Sequence, residues 1–390
     1  MKRKLLGTLL CASMVVSMLT GCGGSTEKTT ETAADATVAT ATTEAAENTA
    51  TETAATGDKN IIVISKSYQN QFYQAAFTGA DDAAADLGVT VTTNGPDAES
   101  NVSQQVEQVA AAINQKPDAI VLAACDPSAL EEVLTKAKNE GIPVIGFDSG
   151  VPGDATGAVV ATAATDNEKA GANVATNMAA DADFQAAVLA GTEENPTVIG
   201  VLAQDATSGS IVSRVDGYIN EMVAQLESLD GLDGCVDVSG QEKWTIPSEN
   251  NAKVKIVVTV PPSTSQADIQ SAATTIFHTD NLVGVFAANQ DAVNGVISAT
   301  NDATDLDKQS GKYKGVFVVG FDAGTTQKDA VSNGEFLGSV TQDPYQMGYQ
   351  AIQLAVEAAD GKEVQDVDTG SKWYNKDNID DDDIAILLYD

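Results

Sequence analysis

From Lys59 onward, short and wholly apolar runs alternate with segments of helical period, and this alternation restricts the fold more than any other feature. Residues 61–64 (Ile-Ile-Val-Ile) are apolar at every position. A strand with one wet face alternates apolar and polar residues, so an unbroken run requires cover on both faces. Residues 74–87 read as a helix that stops at Gly88, and residues 89–91 as the next strand. Val102, Val106, Val109 and Ile113 recur at helical spacing until Lys116-Pro117-Asp118 ends the pattern. A third strand over 119–122, a helix over 130–139 capped by Gly141, and a fourth strand over 142–145 follow. The same grammar then restarts, with strands over 197–202, 256–260, 282–286 and 316–321 and helices over 212–226, 269–277 and 292–300. Parallel strands joined by right-handed helical crossovers make a sheet covered by helices on both faces. The prediction is an α/β protein with two doubly wound parallel-sheet lobes.

The chain ahead of Lys59 has another character. Lys2, Arg3 and Lys4 precede an apolar run over 5–19, which closes on Leu19-Thr20-Gly21-Cys22. A basic start and so short an apolar run mark a cleaved export signal, because a spanning helix needs about 20 apolar residues. The small residues ahead of Cys22 form a lipobox. Residues 1–21 are therefore expected to be a lipoprotein signal peptide, with Cys22 as the lipidated first residue of the mature chain. Residues 22–58 are mostly Thr, Ala, Glu and Ser, with no aromatic residue. Such a segment cannot bury enough apolar surface to offset its ordering entropy, which predicts a disordered acidic tether. The expected location is extracytoplasmic, lipid-anchored to the outer face of the cell membrane.

The remainder is too long for one ordinary core and suits two lobes. A formal net charge of −35 argues against nucleic acid or an anionic lipid surface as partner. Beyond Cys22 the mature cysteines are Cys125 and Cys235. An even pair can form a disulfide, but this spacing matches no disulfide framework and reads as two free buried thiols.

In open parallel sheets, ligands bind beyond the carboxyl ends of the strands. There the chain offers Asn70, Phe72 and Tyr73 after the first strand, Asp126 after the third and Asp148 after the fourth. The second half contributes Asn289 and Asp322 after its strands, and a later segment Gln342. Carboxylates and amides exchange paired hydrogen bonds with vicinal hydroxyls, and an aromatic face covers the C–H side of a sugar ring. The chemistry is that of carbohydrate binding. Asp126 also has a plainer reading, since Pro127 makes it a cap for the next helix.

Six short motifs, in order, resemble those of the type I periplasmic-binding-protein superfamily, and of ribose- and galactose-binding-like lipoproteins of sugar ABC transporters in particular. They are Asn70-x-Phe72-Tyr73, Pro-Val-Ile-Gly-Phe-Asp ending at Asp148, Ala-Ala-Thr-Asp-Asn ending at Asn167, Phe-Ala-Ala-Asn ending at Asn289, Val-Gly-Phe-Asp ending at Asp322, and Thr-Gln-Asp-Pro-Tyr-Gln-Met-Gly from Thr341. The resemblance spans about residues 59 to 365 and implies a ligand cleft between lobes joined by a three-stranded hinge. It divides the chain into an N-terminal lobe of residues 59–165 and 343–364 and a C-terminal lobe of residues 166–342 and 365–390. Asn70 and Asp148 are then expected to bond sugar hydroxyls, Phe72 and Tyr73 to flank the ring, and Asn289, Asp322 and Gln342 to close over it.

Two departures stand out. Ser149 occupies the place where ribose-binding relatives carry an arginine, and a second family arginine is replaced around Val212. The single arginine of the mature chain is Arg214. It reads either as a bidentate clamp on adjacent hydroxyls or as an ion-pair partner of Asp205 or Asp216.

The resemblance implies a monomeric binder that captures a monosaccharide-like ligand by lobe closure and delivers it to an ABC permease and its ATPase. The alternative is an autoinducer-2-like signal receptor, or a sensory module for a membrane kinase or chemoreceptor. Catalysis is not expected: there is one histidine, His278, and no Walker loop, dinucleotide fingerprint or zinc spacing. No cofactor and no metal are implied, because the acidic run over 377–383 lacks the glycine and ligand spacing of a calcium loop and reads as a solvated tail. Trp244 either swings over the cleft or packs on its own lobe.

Overall fold

A computed structural model describes residues 59–389. The expected signal peptide, Cys22 and the acidic tether lie outside the described residues. The first lobe builds β1 (Asn60–Ile64), α1 (Gln71–Leu87), β2 (Thr90–Asn94), α2 (Val102–Asn114), β3 (Ala119–Leu122), α3 (Glu131–Glu140), β4 (Val144–Phe147) and β5 (Val159–Ala164). The second builds α4 (Asn167–Ala179), α5 (Ala182–Leu189), β6 (Thr197–Leu202), α6 (Gly209–Glu227), β7 (Val236–Ser239), β8 (Val254–Thr259), α7 (Gln266–Phe277), β9 (Leu282–Ala287), α8 (Gln290–Ala299), β10 (Phe317–Phe321), α9 (Thr325–Ser332) and β11 (Gly338–Gln342). The chain returns to the first lobe through α10 (Pro344–Ala359) and β12 (Val367–Asp368). It ends in the second with β13 (Ser371–Tyr374) and α11 (Asp382–Ala385).

The sheet of the first lobe runs β2-β1-β3-β4-β5-β12 and that of the second β7-β8-β6-β9-β10-β11-β13. Every pairing is parallel except β13 on β11. Central strands β3, β4 and β6 are buried throughout, whereas edge strand β2, rich in threonine, buries none of its residues. Continuous apolar runs thus mark the strands covered on both faces. Each sheet carries one apolar core on each side. The predicted strand over 142–145 is displaced to Val144–Phe147, because Pro143 has no N–H to give a ladder.

Three connections link the lobes: β5 to α4, β11 to α10, and β12 to β13. The third lies later than residue 365, because Val367 and Asp368 pair with Ala163 and Ala164 of the first sheet. A two-residue strand containing an aspartate has no apolar signature by which to be found in the sequence.

One helix pair in each lobe packs backbone to backbone. On α1 and α10, a Cβ at Gly79 collides with the Tyr345 carbonyl and one at Gly348 with the Ala76 carbonyl. On α4 and α6, Gly171 meets the Arg214 carbonyl and Gly217 that of Glu168. These contacts hold α6, and so Arg214, against the start of α4. Gly348→Ala should force α1 and α10 apart at a cost of about 1–3 kcal/mol. Calorimetry should record a lowered Tm; an unchanged Tm would mean that the helices separate freely.

Candidate functional site

The site is assembled from the ends of strands that face each other across the two lobes. Asp148 follows β4 and Asp322 follows β10, and both have positive φ, 54° and 74°. In each case the backbone N–H donates to a carbonyl of the next strand, from Asp148 to Ala163 at 3.1 Å and from Asp322 to Val340 at 2.7 Å. The left-handed turn is unusual for a residue with a side chain, and it recurs at equivalent points of the two lobes. It brings both carboxylates to the wall of one narrow cavity between the strand ends. The room inside is ≈ 20 Å³, on the scale of a single water molecule, so the lobes stand closed on one another here.

Eight of the nine candidate ligand residues line this cavity: Asn70, Phe72, Tyr73, Asp148, Arg214, Asn289, Asp322 and Gln342. Asp126 does not. Its carboxylate accepts the Ser128 N–H at 2.9 Å, so it caps the turn that Pro127 begins. Asn70 caps α1 through a bond from the Phe72 N–H at 2.9 Å. Asn289 caps α8 in the same way, accepting from Ala292 at 3.1 Å. Both caps place a polar side chain at the cavity wall. Tyr73 donates to Asp148 Oδ2 at 2.7 Å, and Gln342 donates to Asp322 Oδ1 at 2.6 Å. Burial, then the Asp148 carboxylate, keeps the Tyr73 hydroxyl protonated, well above its ordinary range.

Arg214 is 2 % exposed and pairs with neither Asp205 nor Asp216. Its Nε and Nη2 donate to Asn167 Oδ1 at 3.1 and 2.7 Å, and its Nη1 to the Ala288 carbonyl at 2.7 Å. The guanidinium lies 3.5 Å over the Phe321 ring. Of its five N–H donors, these bonds use three. Burial lowers its pKa, against the pull of Asp322 and Asp148. Asp216 instead accepts the Trp244 indole N–H at 2.7 Å, which keeps that ring in the core of its own lobe and away from the cleft. Cys125 and Cys235 are free, buried thiols, and His278 is exposed.

Several cavity residues were not anticipated. Lys66 lies two residues past the end of β1 and is 4 % exposed. Its ammonium donates to Ser208 of the other lobe at 3.1 Å and sits 3.4 Å from Glu99 and 3.6 Å from Asp148. Burial opposes that charge, but Glu99, Asp148 and Asp205 outweigh it and raise the pKa. Glu99 accepts from Gln204 of the second lobe at 2.7 Å. Gln290 joins the lobes too, donating to Gln71 at 3.0 Å. The signal for Lys66 was its place at a strand end; Glu99, in a loop after an edge strand, had none. Oε1 of Gln290 and of Gln342 are buried acceptors without a partner among the described residues.

A sequence profile of the periplasmic binding protein domain matches residues 61–363. The chain belongs to this family. It is 23% identical over 321 residues to the D-allose-binding periplasmic protein of Escherichia coli K12, covering 81% of this chain and 90% of that one. Among solved structures it is similar to an ABC transporter, LacI family transcriptional regulator from Brachyspira murdochii (34% identity, TM-score 0.69, 85% of this chain and 99% of that one). It is also similar to an ABC transporter solute-binding protein from Agrobacterium vitis with bound D-fucose (30% identity, TM-score 0.68, 85% and 100% covered). The α/β architecture of two parallel-sheet lobes is the architecture of the family, whose members named here are binding and transport proteins rather than enzymes.

Asp291, the second residue of α8, lies just outside the cavity on the side of Asn70 and Glu99. Its pKa is pushed up to about 7, by burial first, with Glu99 and Asp322 adding to the effect and Lys66 opposing it. The folded state therefore holds this proton more tightly than the unfolded chain, whose carboxyl titrates near its ordinary value of about 3.9. Its contribution to stability falls as pH rises from about 4 towards 7. Asp291→Asn should reduce the difference between Tm values measured at pH 5 and pH 8. An undiminished difference would place the Asp291 carboxylate in ordinary solvent.

Proposed function

We propose that this chain is the extracytoplasmic, lipid-anchored receptor of a sugar ABC transporter, binding a neutral monosaccharide-like ligand between its lobes and presenting the closed form to a permease. The observation that carries this reading is the cavity wall: carboxylates at Asp148 and Asp322 face one another with amides, a guanidinium and the Phe72 ring around them. Such a set of donors and acceptors matches vicinal hydroxyls, and Phe72 matches the C–H face of a sugar ring. Similarity to a D-allose-binding protein and to a structure holding D-fucose supports the same ligand class.

The charge balance supports a neutral ligand. Three carboxylates, Glu99, Asp148 and Asp322, stand against two cations, Lys66 and Arg214, and Lys66 is already held by carboxylates. A phosphate or uronate would deepen an excess of carboxylate over cation that is already present. Arg214 retains donors for the ligand, and the lone Oε1 atoms of Gln290 and Gln342 are acceptors for its hydroxyls.

A thermal-shift screen against aldopentoses, aldohexoses, inositols, uronates and autoinducer-2 tests this reading. A ligand at 100 times its Kd adds about 2.7 kcal/mol, enough to raise Tm visibly. A shift with a neutral sugar is expected. A shift only with autoinducer-2 would move the protein to signalling, and a shift only with uronates would overturn the charge argument. Asp148→Ala should then cost about 2–4 kcal/mol of binding, roughly 30- to 1,000-fold in Kd, and lower Tm as well, because Lys66 and the Tyr73 hydroxyl lose a buried partner. Arg214→Lys should weaken the same sugar strongly, because an ammonium reproduces neither the fork to Asn167 nor the stack on Phe321.

A further inference from the structure

After β13 the chain turns back along the second lobe. The exposed aspartates over 377–383 are interrupted by Ile379 and followed by Ile384, both buried in that lobe's core. Lys372 on β13 donates to the Asp383 carboxylate at 2.7 Å and to its carbonyl at 3.1 Å. The Thr341 hydroxyl, next to Gln342, donates to the Leu387 carbonyl at 3.0 Å. All these anchors belong to the second lobe.

Tyr389 then leaves it. Its ring meets Phe72 of the first lobe edge to face, with centroids 6.0 Å apart and planes at 79°. Its hydroxyl accepts the N–H of Ala323, the residue after Asp322, at 3.3 Å. The side chain packs against the cores of both lobes, and it does not line the cavity itself. Phe72 thus has two aromatic neighbours in edge-on contact, the second being Tyr73 at 5.1 Å and 84°.

We propose that Tyr389 is a positioning residue for ligand capture: it fixes the plane of Phe72 from behind and latches the first lobe to the second when the cleft is closed. The anchors of the segment travel with the second lobe and Phe72 travels with the first, so opening the cleft separates the two rings. The contact therefore favours only the closed state, and a group that favours one of two states shifts the equilibrium between them. The proposal rests on reading the cavity as the ligand site.

Tyr389→Ala and Tyr389→Phe test it. Loss of one aromatic pair should weaken the sugar found in the screen about threefold to tenfold, mainly through faster dissociation. Tyr389→Phe keeps the ring and should bind within about twofold of the parent. Small-angle scattering of the ligand-free proteins supplies a readout independent of any sugar. The alanine variant should have a larger radius of gyration, and the phenylalanine variant should match the parent. If no sugar binds the parent, the sugar reading fails while the scattering comparison still decides the latch. Unchanged affinity and scattering in the alanine variant, or a lowered Tm with unchanged affinity, would overturn the proposal.

Discussion

Charge held out of water between the lobes is the constraint on which the arrangement depends. Lys66, Arg214, Asp148 and Asp322 are each 5 % exposed or less. Removing one ion from water costs several kcal/mol unless hydrogen bonds and opposite charge replace the solvent. Each lobe supplies most of those replacements itself, Tyr73 for Asp148, Gln342 for Asp322, and Asn167 with the Ala288 carbonyl for Arg214. Lys66 adds Ser208 from across the cleft, and Glu99 adds Gln204. Closing the cleft therefore completes the hydrogen bonding of Lys66 and Glu99 around charges that each lobe has already paired.

The two lobes reach this point by repeating one local device. In each, a parallel strand ends in an aspartate at positive φ whose N–H is tied to the adjacent strand. In each, a glycine-mediated helix contact sets the layer behind the strand. The repetition supplies facing carboxylates, and Arg214 breaks the symmetry. It projects from the close-packed pair α4 and α6, where Asn167 at the first hinge crossing receives two of its N–H groups. The guanidinium is thus tied to a segment that joins the two lobes.

The strand ends were legible because a wholly apolar run must be a strand covered on both faces, and its first polar residue must leave the sheet at one edge. That reasoning found Asp148, Asn289 and Asp322. It failed at Asp126, where the same position feeds a turn begun by Pro127 and the carboxylate turns back to cap it. It passed over Lys66, since a lysine beside a strand is normally solvated and only the later meeting with Glu99 and Asp148 makes its burial tolerable. Glu99 carried no signal of its own, and Gln290 shared only the strand-end position of Asn289, for their role is set by what the opposite lobe brings to them.

Sequence alone determined the class of fold, the two-lobe division and the polar chemistry of the strand ends, because these follow from local periodicity and from the sidedness of parallel sheets. Tertiary structure decided which carboxylate faces the cavity and which caps a turn, how Arg214 is held, where the third crossing lies and that Tyr389 reaches Phe72. These depend on contacts between residues far apart in the chain, whose energies come from burial and from pairing across the cleft. Local pattern carries no record of such distances.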